Sequence, residues 1–340
     1  MYSQVQAAAM GSQDTQPILQ QKRPLWTRIR LSLQLWAIRG IGPVVFWILR
    51  TFKRESFALA PTYIKCYTVG AKLENEIWIP STHKADTKLP LFIDIHGGGF
   101  VLGSPRQDAG FCHYLAEKHG ICVVSVNYPK APRVPYPYQT EELVKVVQCV
   151  LDDSSLPVDT TNVAIGGFSA GGNLSLSVSL RDELQGKFKG LLAWYPVTDF
   201  SGRFKSKSQR GGNGNSTMPV DMADMFDYAY VKDGQNLCDP YLSPVYGDRK
   251  RLPPKIFLLG AEFDALCNEA EQTALRYAAA EEDQSRKGDP YDWTIGNIKW
   301  RKIPGVQHGF NFIKKKDPES ENRRLEITQT ALTSAGSVGE

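Results

Sequence analysis

Residues 163–173 read Val-Ala-Ile-Gly-Gly-Phe-Ser-Ala-Gly-Gly-Asn, an apolar run that ends in Gly167-Phe168-Ser169-Ala170-Gly171. A Gly-x-Ser-x-Gly after such a run describes a strand that feeds a tight turn, and a turn that feeds a helix. The turn forces the serine backbone into a strained conformation, and the flanking glycines leave room for the neighbouring strand and helix. The hydroxyl then stands at the carboxyl edge of a sheet, at the positive end of the following helix. Glycine makes up about 7% of residues, so the bare motif arises by chance in about one chain in ten of this length. The surrounding residues must therefore carry the reading.

They do so in three places. His96-Gly97-Gly98-Gly99 follows a second apolar run, Leu91-Phe92-Ile93-Asp94-Ile95. Glycines without side chains let backbone N–H groups approach a reacting oxygen, as an oxyanion hole requires. Of the five histidines (His83, His96, His113, His119 and His308), only His308 lies after Ser169. Elbow-type hydrolases run serine, acid, histidine along the chain, so His308 is the candidate base. The acid has three candidates. Asp264 follows the apolar Lys255-Ile256-Phe257-Leu258-Leu259-Gly260, Asp199 follows Leu191-Leu192-Ala193-Trp194, and Glu262 lies two residues before Asp264. Each could instead cap a helix or sit solvated in a loop, and Asp264 is favoured.

At 340 residues the chain can build one large α/β domain or two small ones. Its 42% hydrophobic and 22% charged residues indicate a globular protein. A net charge of +4 is too small an excess for nucleic acid, and Lys314-Lys315-Lys316 reads as solvated surface. The six cysteines show no Cys-x-x-Cys spacing, which implies buried free thiols and no metal site. Asn215-Ser216-Thr217 is a formal glycosylation sequon, but a glycan at the second one, Asn173, would be incompatible with a working site.

Residues 1–20 are polar and glutamine-rich, the composition of a disordered tail. Residues 21–60 hold Trp26, Trp36 and Trp47 among many basic residues. Leu31 to Leu49 approaches spanning length. Arg39 near its centre costs about 2.5–3.5 kcal/mol in a bilayer, and Gln34 and Gly42-Pro43 weaken a span further. No small-residue cleavage site follows a clean apolar core, so a secretory signal is not indicated. One or two helices covering the active site are expected here, with residues 24–54 a candidate peripheral membrane contact. From residue 61 to 335 one α/β domain is expected, with a mostly parallel sheet flanked by helices. Its strands fall around Tyr67–Pro80, Leu91–Ile95, Cys122–Val126, Val163–Gly166, Leu191–Trp194, Ile256–Leu259 and Ile298–Ile303, and its helices around Gly110–Lys118, Gln139–Leu151 and Glu269–Glu281. Leu174 to Leu180 alternates Leu/Val with Ser like a strand, yet its place after the elbow makes it a helix. Residues 200–250, with Met218, Met222, Met225, Phe226, Tyr228 and Tyr230, read as a second cap element over the site, and residues 282–293 as a surface loop.

Together these residues resemble the hormone-sensitive-lipase-like branch of the α/β-hydrolase superfamily, and its fungal members most of all. The likeness spans about residues 60–315 and rests on His96-Gly97-Gly98-Gly99-Phe100, Gly167 to Asn173, Asp239-Pro240-Tyr241-Leu242-Ser243-Pro244, Asp264-Ala265-Leu266 with Glu269, and His308-Gly309-Phe310. It implies Ser169 as nucleophile, His308 as base and Asp264 as its partner. It also implies oxyanion donors at the N–H groups of Gly98, Gly99 and Ala170, with Gly97 supporting the turn. The implied activity is hydrolysis of small to medium apolar carboxylic esters, without metal or organic cofactor, in some relatives within secondary metabolism. Acyl transfer through the same acyl-enzyme, or ligand binding without catalysis, are the alternatives on this fold. The expected location is the cytoplasm or the surface of an intracellular membrane. One departure concerns Tyr128-Pro129-Lys130-Ala131-Pro132, where relatives commonly carry Tyr-Arg-Leu-Ala-Pro, a difference expected to bear on pocket shape more than on chemistry.

Overall fold

Largely apolar runs such as Cys122–Val126 and Gly190–Trp194 form strands buried along their whole length, because helices cover both faces of the sheet. The computed structural model describes residues 16–52, 59–204 and 220–311. Its strands are β1 (Tyr63–Cys66), β2 (Glu74–Trp78), β3 (Leu89–Ile95), β4 (Cys122–Val126), β5 (Val158–Phe168), β6 (Gly190–Trp194), β7 (Lys255–Ala261), β8 (Arg286–Gly288), β9 (Asp292–Ile295) and β10 (Ile298–Ile303). Its helices are α1 (Leu25–Phe52), α2 (Ala109–His119), α3 (Tyr138–Leu151), α4 (Ala170–Ser179), α5 (Val220–Tyr230) and α6 (Cys267–Ala278).

One sheet results, in the order β1-β2-β4-β3-β5-β6-β7-β10-β9-β8. The run from β4 to β10 is parallel, and antiparallel pairs close each edge. Strand alternation divides the core. Leu91, Ile93 and Ile95 join a layer with residues of α3, α4 and α6, whereas Phe92, Phe168 and Trp194 face α2. The order reverses at β3, so the carboxyl ends of β3 and β5 border the crevice where α/β sheets place their ligands. His96 follows one strand and Ser169 the other.

α4 explains its misleading sequence. Every residue from Ala170 to Ser179 is buried, so no polar face is needed. Its serines satisfy themselves: Ser175 donates to Gly171 O at 2.8 Å, Ser179 to Ser175 O at 2.7 Å and Ser177 to Tyr241 O at 2.6 Å.

Three expectations need correction. The strand expected over Tyr67–Pro80 is a hairpin, β1 and β2, whose turn carries Gly70 and Lys72 at φ 56° and 49°. The loop expected at 282–293 contains β8 and the start of β9. Asp289 Oδ1 accepts from the N–H groups of Tyr291 and Asp292 to tighten their turn, and only Trp293 points into the core, so no alternation showed. Residues 16–20 are not part of a disordered tail. Leu19 bridges Asn236, Gln20 N–H donates to Gln235 O at 2.8 Å, and Ile18 packs on the core. Residues 1–15 and 312–335, and the glycine-rich 211–215, lie outside the described residues.

α1 is a single helix packed on α5. Leu31 and Leu35 are buried, Ser32 Oγ lies 3.2 Å from Tyr228 OH, and Arg23 pairs with Asp224 at 3.8 Å. α5 follows β6 and reaches the glycine loop, where Tyr230 stacks on Phe100 with ring centroids 3.8 Å apart. No helix among the described residues is long and apolar enough to cross a membrane.

Behind β3, three acids share a buried space: Glu76, Asp94 and Asp108. Asp94 Oδ2 accepts from Ser125 Oγ at 2.6 Å. Burial raises Asp94 to about 7 against the lowering effect of that bond, and burial with the charges of Asp94 and Glu76 raises Asp108. A carboxyl with a raised folded pKa favours the native state while protonated, so its contribution is full below about pH 4 and fades as pH rises through about 7. Stability measured by urea denaturation should therefore fall between pH 5 and 8 from this cluster, and Asp94→Asn should flatten that fall. A second test concerns packing: a Cβ on Gly171 would lie 1.8 Å from Ile95 O. Gly171→Ala should cost about 3 kcal/mol or more, whereas Ser179→Ala, which loses only a bond within its helix, should cost about 1 kcal/mol or less.

Candidate active site

Ser169 leaves β5 and starts α4 at φ 55° and ψ −115°, a region that costs a side-chain-bearing residue about 1–3 kcal/mol. The conformation is held from both sides. Ser169 N–H donates to Trp194 O at 2.9 Å, and Gly167 and Gly171 bring the turn against β3. A Cβ on Gly167 would lie 2.2 Å from Ile95 O, so only glycine permits this approach.

His308 sits in the loop after β10. Its Nδ1 lies 2.6 Å from Asp264 Oδ2 and its Nε2 lies 3.0 Å from Ser169 Oγ. Asp264, in the loop after β7, is buried, and its other oxygen accepts the Leu266 N–H at 3.0 Å. A carboxylate can only accept, so Nδ1 carries the histidine proton and Nε2 presents a lone pair to the serine hydroxyl. The structure thus brings Ser169, His308 and Asp264 together across 139 and 44 positions of sequence.

The rival acids are occupied elsewhere. Asp199 Oδ1 accepts from Ser201 N and Oγ, and its Oδ2 from Phe204 N, closing a buried loop. Glu262 braces the segment before His308 by accepting Gly305 N–H at 2.8 Å.

The glycine loop runs beside the serine. A Cβ on Gly97 would lie 2.9 Å from Phe168 O and 3.7 Å from Ser169 Cβ. Gly98 and Gly99 take φ 119° and 59°, and Gly98 O accepts from Leu102 N at 2.9 Å. Among the described residues, the N–H groups of Gly98, Gly99 and Ala170 donate no hydrogen bond. Ala170 N–H is one of the unsatisfied donors at the start of α4, whose first intrahelical bond runs from Asn173 N to Ser169 O. His96 is buried beneath the loop, its Nδ1 2.7 Å from Gly97 O.

Of the aromatic patch at 218–230, Phe226 lies over the loop, since a Cβ on Gly99 would come within 2.3 Å of its ring. Met225 and Tyr230 belong to the core, and Met218 lies outside the described residues. Sequence reasoning missed Tyr195. Its ring meets the His308 ring edge-on at 4.7 Å, its hydroxyl bonds Asn311 Oδ1, and its backbone takes φ 37°. Its place directly after β6, one strand from the elbow at the same sheet edge, was the available signal.

Comparison with known proteins agrees with this architecture. A family model described as the alpha/beta hydrolase fold matches residues 92–288. An esterase of Acinetobacter venetianus is 31% identical over 246 residues, covering 72% of this chain and 75% of its own length. The esterase of Pyrobaculum calidifontis superposes with a TM-score of 0.67 at 26% identity, over 86% of this chain and 93% of that one. A structure from a study of two Rhizomucor miehei esterases superposes at 0.67 over 99% and 96% of the two chains, and its 22% identity speaks for the fold alone. With its glycine loop, serine elbow and sheet order, this chain belongs to the α/β-hydrolase family, in its hormone-sensitive-lipase-like branch.

Proposed function

We propose that this chain hydrolyses carboxylic esters through an acyl-enzyme on Ser169, with His308 as general base and Asp264 as its orienting partner. Ester hydrolysis itself is the activity named for its relatives. The observation that carries the finer reading is the continuous relay of 2.6 and 3.0 Å from Asp264 through His308 to Ser169.

Each step follows from these atoms. Ser169 Oγ attacks the ester carbonyl while His308 Nε2 takes its proton, and Asp264 stabilises the imidazolium. The carbonyl oxygen gains negative charge, which the Gly98, Gly99 and Ala170 N–H groups and the start of α4 are placed to receive. Each such donor is typically worth about 2.7–4 kcal/mol of transition-state stabilisation. His308 then returns the proton to the departing alcohol, and water, activated by the same nitrogen, releases the acid. Phe226 and Tyr195 border the reacting atoms, which suits small to medium apolar substrates. A place in fungal secondary metabolism belongs to the same proposal, from the likeness of the motifs.

Residues of α1 favour a further reading of where the enzyme works. Trp26, Ile29, Leu33 and Trp36 line the side of the helix opposite Leu31 and Leu35, and both tryptophans are 80% exposed. From residue 15 to residue 54 the chain carries eight Lys and Arg and no Asp or Glu, against 40 basic and 36 acidic residues overall, so the remainder is net negative. An apolar stripe with tryptophans amid unbalanced positive charge fits the headgroup region of an anionic lipid surface.

Ser169→Ala should lower turnover of a short-chain p-nitrophenyl ester by about 10⁶-fold and abolish labelling by a fluorophosphonate. Near-wild-type turnover would falsify the assignment, and absent labelling of the wild type would instead indicate a non-catalytic binding protein. Asp264→Asn should lose about 10⁴-fold while Asp199→Asn keeps most activity; the reverse pattern would transfer the role to Asp199. For the lipid surface, the full chain should sediment with phosphatidylcholine vesicles containing phosphatidylglycerol and lose this on Trp26→Ser/Trp36→Ser. Equal sedimentation of the two proteins would refute it, and a wild-type dimer that the substitutions split would give the stripe to a second copy.

A further inference from the structure

The glycine loop stands on His96, and His96 stands on a lysine. His96 Nδ1 lies 2.7 Å from Gly97 O, an acceptor, so Nδ1 carries the proton and Nε2 must accept. Two atoms face Nε2: Asn127 Oδ1 at 3.3 Å and Lys130 Nζ at 3.0 Å. Asn127 Oδ1 is fixed as an oxygen because it accepts both Tyr128 N–H and Lys130 Nζ at 2.9 Å. It cannot donate to a nitrogen lone pair. Lys130 is therefore the donor that satisfies buried His96.

The ammonium uses all its protons in this way. Its three acceptors are His96 Nε2, Asn127 Oδ1 and Tyr128 O. It also lies 3.7 Å from the centre of the Tyr128 ring, a cation–π distance. That ring stacks on His96 with centroids 4.4 Å apart, and its hydroxyl donates to His96 O at 3.1 Å. Lysine, tyrosine and histidine thus form one clamp beneath Gly97.

We propose that Lys130 is a positioning residue for ester hydrolysis, whose charged side chain holds the oxyanion loop in register with Ser169 through His96 and Tyr128. The proposal rests on the reading of Gly98, Gly99 and Ala170 as oxyanion donors. The departure from Tyr-Arg-Leu-Ala-Pro then bears on the chemistry, since Lys130 turns inward beneath the loop.

The clamp carries its own pH dependence. Burial lowers Lys130 to about 7, and no carboxylate of the described residues pairs with it. His96 is itself held well below the usual histidine range by burial and then by the lysine charge, so it stays neutral. The other groups nearby are Tyr128, with Tyr230 and buried Asp108 acting on it, Arg39 of α1, which donates to Ala131 O at 2.9 Å, and Glu142 of α3, which shares a cavity wall with Asn127 and Pro129 and accepts Ala71 N–H. Neutral lysine keeps two N–H groups for three acceptors and loses its attraction to the ring. The clamp is therefore complete below about pH 7 and loosens as pH rises through that value.

The test compares Lys130→Met, Lys130→Arg and Asn127→Asp with the wild type in kcat, KM and their pH profiles, with thermal melting as the folding control. Lys130→Met should lower kcat by about 10- to 100-fold with little change in KM, and should lack the alkaline fall in kcat that the wild type shows near neutrality. Asn127→Asp sets a carboxylate beside the ammonium and should move that fall to higher pH. Lys130→Arg should recover part of the loss. A Met variant that melts like the wild type and keeps its kcat and pH profile would overturn the proposal. Should the Met variant not fold, an Asn127→Asp profile that coincides with the wild type would overturn it instead. A Ser169→Ala protein that still turned over would remove the underlying esterase reading, which separates the two failures.

Discussion

Contact between bare backbone segments, the turn at Gly167 to Gly171 against the end of β3, is the constraint from which the site follows. The room left for a side chain there is less than a carbon atom needs, 2.2 Å at Gly167 and 1.8 Å at Gly171 from the same Ile95 carbonyl. Strand, elbow and helix can stack so closely only because these positions are bare. The same carbonyl belongs to the residue before His96, so the contact that strains Ser169 also sets the glycine loop beside it. The serine elbow and the glycine loop are not two features arranged separately. They are two sides of one joint.

How far the sequence revealed this depends on where each residue sits. Ser169, the glycine loop and Asp264 each follow an apolar run, and a run buried on both faces is visible without structure. His308 was reachable by elimination. The sequence favours Asp264 although Asp199 also follows a strand at the same sheet edge, and the coordinates show Asp264 to be the one that meets His308. Only the hydrogen bonds from Ser201 and Phe204 show Asp199 to be engaged in its own loop. The β8–β9 hairpin was hidden for a different reason: with Trp293 alone turned inward, its polar residues carry no period. The pairing of residues 18–20 with 234–237 joins segments over 200 positions apart through backbone atoms, which composition does not record.

The side chains that hold the site in place are hydrogen-bonded: the serines of α4 bond to carbonyls, Asp264 divides its oxygens between His308 and Leu266, and His96 is satisfied at both nitrogens. The N–H groups of Gly98, Gly99 and Ala170, which lie together beside the serine, donate no hydrogen bond among the described residues. Unsatisfied donors that lie together cost stability in the resting protein, and they are what the proposed oxyanion role calls for.

Phe226 rests on Gly99 while its helix, α5, carries α1 on its outer side. The roof of the reaction chamber is thus also the hub of the amino-terminal helix. Residues two positions apart on α5, Phe226 over Gly99 and Tyr228 against Ser32, therefore tie the covering of the glycine loop to the seat of the amino-terminal helix.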